Sequence, residues 1–174
     1  MTIRRILPLY LIMLSLVNLA ACGYQVLGSQ PVTLGTQPKL AIPLFTNRSN
    51  EVGLEAIFAN ALIGTFSQSR VAQVTTEENQ ADLVLQGDLT TVENTSLAYR
   101  DIDRSLVRRV TISIDLILKE RQSGKVIWKQ TKIIEADYVV RPDYHYGEAT
   151  RQMSISRAAA TLARRVHDEI LMIL

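Results

Sequence analysis

The sequence has 174 residues, with 19 Lys and Arg against 17 Asp and Glu, and it contains one cysteine. A chain of this length suits a single domain with one core. The near balance of charges gives no global basic field, so we expect no nucleic-acid partner. One cysteine allows no disulfide within the chain, so packing must hold the fold.

The first 21 residues follow the order of a secretory signal peptide. Arg4 and Arg5 precede an apolar, uncharged stretch at 6–17, and small residues lead to Cys22. The apolar stretch is too short for a typical membrane-spanning helix. Removal of this signal takes two of the 19 basic residues and leaves 17 against 17 acids, so the expected mature chain is neutral.

The segment LAAC at 19–22 resembles the bacterial lipoprotein signal. That resemblance implies that Cys22 takes a diacylglycerol, that the signal is cut off before it, and that the new amine is acylated, with palmitate as an expected chain. More than one acyl chain is needed for stable anchoring, and a triacylated cysteine meets that need. An Asp directly after the cysteine would resemble a signal for retention in the inner membrane. Gly23 occupies that position here, so the outer membrane is the expected destination. The alternative is a buried free thiol in an uncleaved chain.

The first part of the mature chain predicts a tether, a strand and a helix. Residues 22–38 are rich in Gly, Pro and uncharged polar residues, and we interpret them as a tether from the membrane. Residues 39–45 predict a strand near an edge, because Pro43 cannot donate to a ladder. Apolar residues at helical spacing predict the first helix at 51–68. A short strand is also possible at 71–74.

The second part predicts three strands and a long helix. A strand opens at 81–89 and is able to continue to Ala98. Alternating apolar residues predict the clearest half-buried strand at 109–118, and the next strand returns at 126–137 after a tight turn. An aromatic segment at 138–147 predicts a loop, and helical spacing of apolar residues predicts the second helix at 148–173.

These elements have the order strand-helix-strand-strand-strand-helix, which predicts a single α+β domain at 39–174. The first helix can return the chain as a right-handed crossover and the later strands form a meander, so the four-stranded sheet is mixed. Each helix has one apolar stripe, so we expect both helices to pack on one sheet face. The other face would present Thr111, Ser113 and Asp115 to water.

Four segments, taken in order, carry a resemblance to a known family. They are CGYQVLG at 22–28, IPLFTNRS at 42–49 followed by GLE at 53–55, ADLVLQG at 81–87, and GKVIW at 124–128. Together they resemble the LptE family of lipopolysaccharide-assembly lipoproteins, over residues 22–173. That resemblance also implies a fold of two helices packed on a four-stranded sheet.

The resemblance implies a non-enzymatic role at the outer membrane. Family members are lipid-anchored on the periplasmic side and lie inside the lumen of a large β-barrel, LptD. They assist its assembly, act as its plug, help to place lipopolysaccharide in the outer leaflet and bind lipopolysaccharide directly. The alternatives are a lipid-carrying module, which needs a cavity between helices and sheet, and a peptidoglycan-binding lipoprotein, which needs a polar groove.

The motifs of common enzymes are missing from the sequence. Its cysteine is assigned to lipid, and His145 and His167 lack a metal-binding spacing. The sequence has neither a Gly-rich phosphate loop nor a GxSxG elbow. We therefore expect no catalytic residue, metal or cofactor, and for His167 we expect a solvated position.

Two groups of side chains are candidates for binding. Arg100 and Arg104 would lie near one hairpin tip if the second and third main strands pair, and arginine matches phosphate oxygens in a bidentate manner. The lipid A part of lipopolysaccharide carries phosphates, so we hypothesise that both residues bind it with support from Arg141. The alternative is a loop whose arginines are neutralised by Asp101 and Asp103.

The aromatic segment offers a second candidate surface. Tyr144 and Tyr146 are candidates for contact with a partner, because Tyr is enriched at protein interfaces. The alternative is that these rings cap the open end of the core between sheet and helices.

Overall fold

The computed structural model describes residues 37–101, 104–140 and 144–174, without the side chains at 99–106 and 141–146. The predicted signal peptide, Cys22 and the tether before residue 37 lie outside the described residues.

The first half of the described chain contains short strands and one helix, and the second half contains long strands and one helix. In chain order they are β1 (Lys39–Ala41), β2 (Thr46–Asn47), α1 (Leu54–Ser67), β3 (Gln73–Thr75), a 3-10 turn (Glu78–Gln80), β4 (Leu83–Asp101), β5 (Arg104–Glu120), β6 (Val126–Val139) and α2 (Tyr144–Leu171). The strands lie in the order β3-β1-β4-β5-β6, and β2 also pairs with β4. β1 pairs in parallel with β3 and with β4, and β2 pairs in parallel with β4. The pairs β4–β5 and β5–β6 are antiparallel. The α+β class with a mixed sheet is therefore confirmed.

Within the described residues the sheet has six strands rather than the four predicted. The predicted strand at 39–45 is divided, because the chain breaks from the ladder around Pro43 and pairs again with β4 at Thr46. The ring of Phe45 fills this break: a Cβ built on Gly87 would lie 2.3 Å from it. The possible strand at 71–74 is present as β3, next to β1.

The core lies between one sheet face and both helices, as the two apolar stripes predicted. Its largest fully buried side chains are Leu40, Phe58, Leu62, Phe66, Leu85, Leu89, Ile112, Ile114, Leu116, Leu118, Ile155 and Ile170. Burial of each such side chain contributes about 1.5–3 kcal/mol. They belong to one contiguous cluster, so sheet and helices form a single hydrophobic unit.

Helix α1 begins at Leu54, later than the predicted start at 51. Gly53 precedes it with a φ of 95°, a conformation that favours glycine. The Glu55 carboxylate accepts the Gly53 N–H at 3.1 Å and the Asn47 side-chain amide at 2.7 Å, and the same amide donates to the Glu51 carbonyl at 2.7 Å. Hydrogen bonds from the Glu55 backbone, from Asn47 and from Gly53 lower the pKa of Glu55. Asn47 of the IPLFTNRS segment therefore stabilises the turn that leads into α1.

Helix α2 begins earlier than predicted, at Tyr144. The predicted loop at 138–147 is wrong at both ends, because Tyr138 and Val139 complete β6 and Tyr144 opens the helix. Tyr138 is 8% exposed and belongs to the core, which accounts for the apolar character that the sequence shows there.

Candidate functional site

The long hairpin of β4 and β5 brings two of the predicted binding residues to one end of the molecule. The strands pair from Leu83 opposite Glu120 to Asp101 opposite Arg104. Arg100 is the penultimate residue of β4 and Arg104 is the first residue of β5. The backbone thus places both arginines at the same hairpin end, with Asp101 beside them.

The third arginine and the two tyrosines are placed less completely. Arg141 lies outside the described residues; Val139, the last residue of β6, pairs with Val107 on the same strand as Arg104. Tyr144 and Tyr146 are in the first turns of α2 instead of a loop, so their backbone is helical. Contact with a partner stays a prediction for both tyrosines.

Further along β5 from the hairpin end, Arg109 forms ion pairs with acidic residues of β6. Its guanidinium makes a bidentate pair with Asp137, at 2.6 and 2.9 Å, and reaches Glu135 at 2.8 Å. The hydrogen bond with Asp137 raises the pKa of Arg109, and the hydrogen bond from Arg109 lowers the pKa of Asp137. Its guanidinium is therefore already paired with acidic side chains of the fold, and Arg109 is a poor candidate for binding phosphate.

The start of α2 is tied to the segment before α1 by a half-buried ion pair. The Arg151 side chain is 13% exposed, and its Nη2 lies 2.7 Å from Glu51 while its Nη1 lies 3.3 Å from Glu148. Burial would lower the pKa of Arg151, but the close carboxylate of Glu51 outweighs it, so the pKa is raised. Sequence reasoning missed this pair, because the two residues are far apart in the chain.

His167 is not solvated, and that prediction is wrong. Its side chain is 17% exposed, its Nε2 lies 2.7 Å from the Ser69 hydroxyl, and its ring meets Phe66 edge-on at 5.3 Å. The reason is that the end of α1 packs against α2 at this level. The histidine thus joins two helices.

Among the described residues, no three His, Cys, Asp or Glu side chains are grouped so that they hold a metal ion. Within the same residues, neither helix is both long and apolar enough to cross a membrane.

A family model described as LptE, lipopolysaccharide-assembly, matches residues 38–170. The chain belongs to the LptE family. The match begins beside β1 and ends in the last turn of α2, so it covers the whole sheet and both helices. LptE proteins are non-enzymatic outer-membrane lipoproteins of lipopolysaccharide assembly. No curated protein matches the sequence.

Solved structures show the same fold at low identity. A protein from Xanthomonas campestris is 13% identical over 82% of this chain and 90% of its own, with a TM-score of 0.57. A hypothetical protein from Chlamydia trachomatis is 12% identical over 79% of this chain and 98% of its own, with a TM-score of 0.54. A protein from Caulobacter crescentus is 15% identical over 74% of this chain and 88% of its own, with a TM-score of 0.52.

Proposed function

We propose that this LptE-family protein is a non-enzymatic subunit of the outer-membrane lipopolysaccharide translocon. It lies as a plug in an LptD-type β-barrel, assists assembly of that barrel, and helps to insert lipopolysaccharide into the outer leaflet. The observation that carries the proposal is the family match over residues 38–170.

The proposed chain organisation follows from the N-terminal sequence. Residues 1–21 are the signal peptide, Cys22 carries the lipid, residues 22–38 are the tether, and residues 39–174 are the folded domain. Two or three acyl chains give membrane binding that a single chain does not. The domain is thereby held on the periplasmic side of the outer membrane.

The proposed lipopolysaccharide contact is the end of the β4–β5 hairpin. Arg100 and Arg104 flank the turn on adjacent strands, and planar guanidinium groups pair with phosphate through two parallel hydrogen bonds. Arg141, which follows the end of β6 by two positions in the sequence, is proposed to support them. Tyr144 and Tyr146, at the start of α2, are the proposed contacts with the barrel wall.

The alternative function is a periplasmic lipid- or peptidoglycan-binding lipoprotein. A lipid carrier needs space between helices and sheet, where Phe58, Leu62 and Ile112 are at most 1% exposed and belong to one packed cluster. Among the described residues this packing fills the space between the helices and the central strands, which favours the translocon subunit over a carrier that encloses its lipid there.

The test is a pull-down of the tagged full-length protein from its own outer membrane in mild detergent, followed by mass spectrometry. We expect a large β-barrel of the translocon class in stoichiometric amount. Recovery of the lipoprotein alone, also after crosslinking in cells, would contradict the proposal.

A Cys22→Ala variant is the control for the anchor. It should accumulate as uncleaved precursor, fail to incorporate labelled palmitate, and leave the outer-membrane fraction. Normal cleavage and labelling of this variant would contradict the assignment of Cys22 as the lipidated residue.

A further inference from the structure

A groove of about 670 Å³ runs beside β6. Its lining includes every residue from 132 to 137. Because successive side chains of a strand point to opposite faces, a hollow that touches six consecutive residues runs along the hydrogen-bonding edge of the strand. The groove therefore follows the outer edge of β6.

This edge is unpaired within the described part of the chain. β6 is the last strand in the sheet order and pairs with β5 alone. Such an edge presents a row of backbone N–H and C=O groups, which can pair with another extended chain. A second hollow, of about 300 Å³, shares Asp137, Ser154 and Arg157 with the first and extends the groove to Val139.

The other wall of the groove is one face of α2. Ser154, Arg157, Thr161 and Arg165 line it at a spacing of three or four residues, which places them on the same side of a helix. An added strand would thus have the β6 backbone on one side and these α2 side chains along one of its faces.

The charges of the groove leave two cations available. Lys132 pairs with Glu169 at 2.5 Å, and the carboxylates of Glu135 and Asp137 are bound to Arg109. Arg157 and Arg165 are exposed, and neither takes part in the ion pairs found among the described residues. One guanidinium balances only one of the two carboxylates, so Arg109, Glu135 and Asp137 together keep one negative charge. With Arg157 and Arg165 the groove has a net charge of +1, and its positive side is the α2 wall, which favours an acidic occupant along that wall.

Exposed apolar side chains accompany the edge. Ile133 is 68% exposed, Met153 is 63% exposed and Val139 is 43% exposed. Large apolar side chains at a strand edge are a site for association with another chain, because burial removes them from water. The occupant consequently needs apolar as well as acidic side chains.

We propose that β6 accepts an extended acidic segment of a partner protein by strand addition. Arg157 and Arg165 are eight residues apart on α2, which is about 12 Å along the helix. Acidic side chains four positions apart on a strand are about 13 Å apart and face the same way. The segment therefore has two acidic residues separated by three others, with apolar residues between them.

Two other occupants fit the charges less well. A second copy of this chain would bring its own Arg157 and Arg165 towards the same groove and add like charges. The chain's residues 22–36 contain no acidic residue, so they cannot neutralise the two arginines. The proposal concerns a site separate from the hairpin arginines and stands independently of lipopolysaccharide binding.

The test uses the full-length lipoprotein in detergent and a fluorescein-labelled Val-Glu-Val-Thr-Val-Glu-Val peptide, followed by fluorescence anisotropy. We expect saturable binding that weakens about tenfold or more when both Glu are replaced by Lys, because the like charges then repel. N-methylation of every second backbone amide of the labelled peptide should also weaken binding, because it removes N–H groups that would donate hydrogen bonds to the β6 edge.

Variants of the protein identify the site. Arg157→Glu/Arg165→Glu should weaken binding of the acidic peptide about tenfold or more, and it should restore binding of the Lys peptide. The matched control Arg70→Glu/Lys125→Glu makes the same change in net charge at exposed positions away from the groove, and should leave binding within about twofold. Circular dichroism checks that both variants fold.

Three results would overturn the proposal. The first is equal binding of the acidic and Lys peptides, and the second is an Arg157→Glu/Arg165→Glu variant that binds like the control. The third is a protein that binds neither peptide and instead forms a dimer or binds anionic lipid vesicles. In that case Arg157→Glu/Arg165→Glu would abolish the dimer or the vesicle binding. Loss of translocon co-purification with intact peptide binding would contradict the proposed function alone.

Discussion

The carboxylate of Glu51 lies 2.7 Å from Nη2 of Arg151, and this ion pair joins the segment before α1 to the beginning of α2. Asn94 on β4 reaches the same carboxylate at 3.4 Å. The pair therefore links the two helical segments and the long hairpin at one level of the fold. A second ion pair, between Arg48 and Asp88 at 2.6 Å, also joins the segment before α1 to β4.

Loss of this ion pair should destabilise the domain. Arg151→Met leaves Glu51 without its cation, and we expect a loss on the order of 1–2 kcal/mol, because the pair is only partly screened by water. For a domain of this size that lowers Tm by about 2–8 °C. Thermal unfolding followed by circular dichroism measures it, with the exposed Arg157→Met as control. Equal melting of the two variants would show that the pair contributes nothing.

Gly87 should be intolerant of a side chain. A Cβ at this position would lie 2.3 Å from the ring of Phe45, which is 3% exposed and unable to move outward without losing its burial. We expect Gly87→Ala to cost about 1–3 kcal/mol of unfolding free energy. Denaturant titration measures it.

Gly64 provides the matched control for that substitution. It lies inside α1 with nothing within 4 Å of its built Cβ, so Gly64→Ala should stabilise the domain by about 0.5–1 kcal/mol. Phe45→Leu should also relieve part of the cost of Gly87→Ala. A Gly87→Ala protein as stable as the parent would mean that the ring is not fixed over this glycine.

The central sheet was predictable because its signal is local. Val110, Ile112, Ile114, Leu116 and Leu118 alternate with polar residues, and all five are fully buried. That alternation fixes the face of the strand, and the tight turn at Gly124 fixes its partner. That turn pairs β5 with β6, whereas β4 pairs with β5 because consecutive strands of a meander are neighbours, and this second pairing places Arg100 and Arg104 at one end.

The remaining features depend on contacts between distant segments. Strand β2 has only two residues, too few to show a period, and it forms where the chain rejoins β4 after the break at Pro43. The start of α2 at Tyr144 overrides a composition typical of a loop. His167 and Ser69 are brought together by helix packing, which no local pattern encodes.

The pH dependence of stability should contain a contribution from Glu55. Its pKa in the folded protein is below the ordinary value of 4.5, so the stabilisation is present above that value and is lost as pH falls through the folded pKa. Glu55→Gln removes this contribution, so the two proteins should differ in stability at neutral pH and converge in acid. Urea unfolding at several pH values, read from Trp128 fluorescence, measures it. The exposed Glu93→Gln is the control, and a difference that grows towards acid would contradict the assignment.

The hairpin arginines should carry a phosphate-dependent part of lipopolysaccharide binding. Arg100→Ala/Arg104→Ala/Arg141→Ala should weaken the affinity of the full-length protein about tenfold or more, because charge-assisted bidentate bonds to phosphate are lost. The matched variant Arg70→Ala/Lys125→Ala/Lys129→Ala removes the same charge from exposed positions elsewhere and should change affinity about twofold at most. The effect should shrink with lipid A lacking phosphates, since the lost partner is then missing from both measurements. A loss below about twofold for the hairpin variant would show that Asp101 and Asp103 neutralise these arginines, and lipopolysaccharide would then have to bind elsewhere.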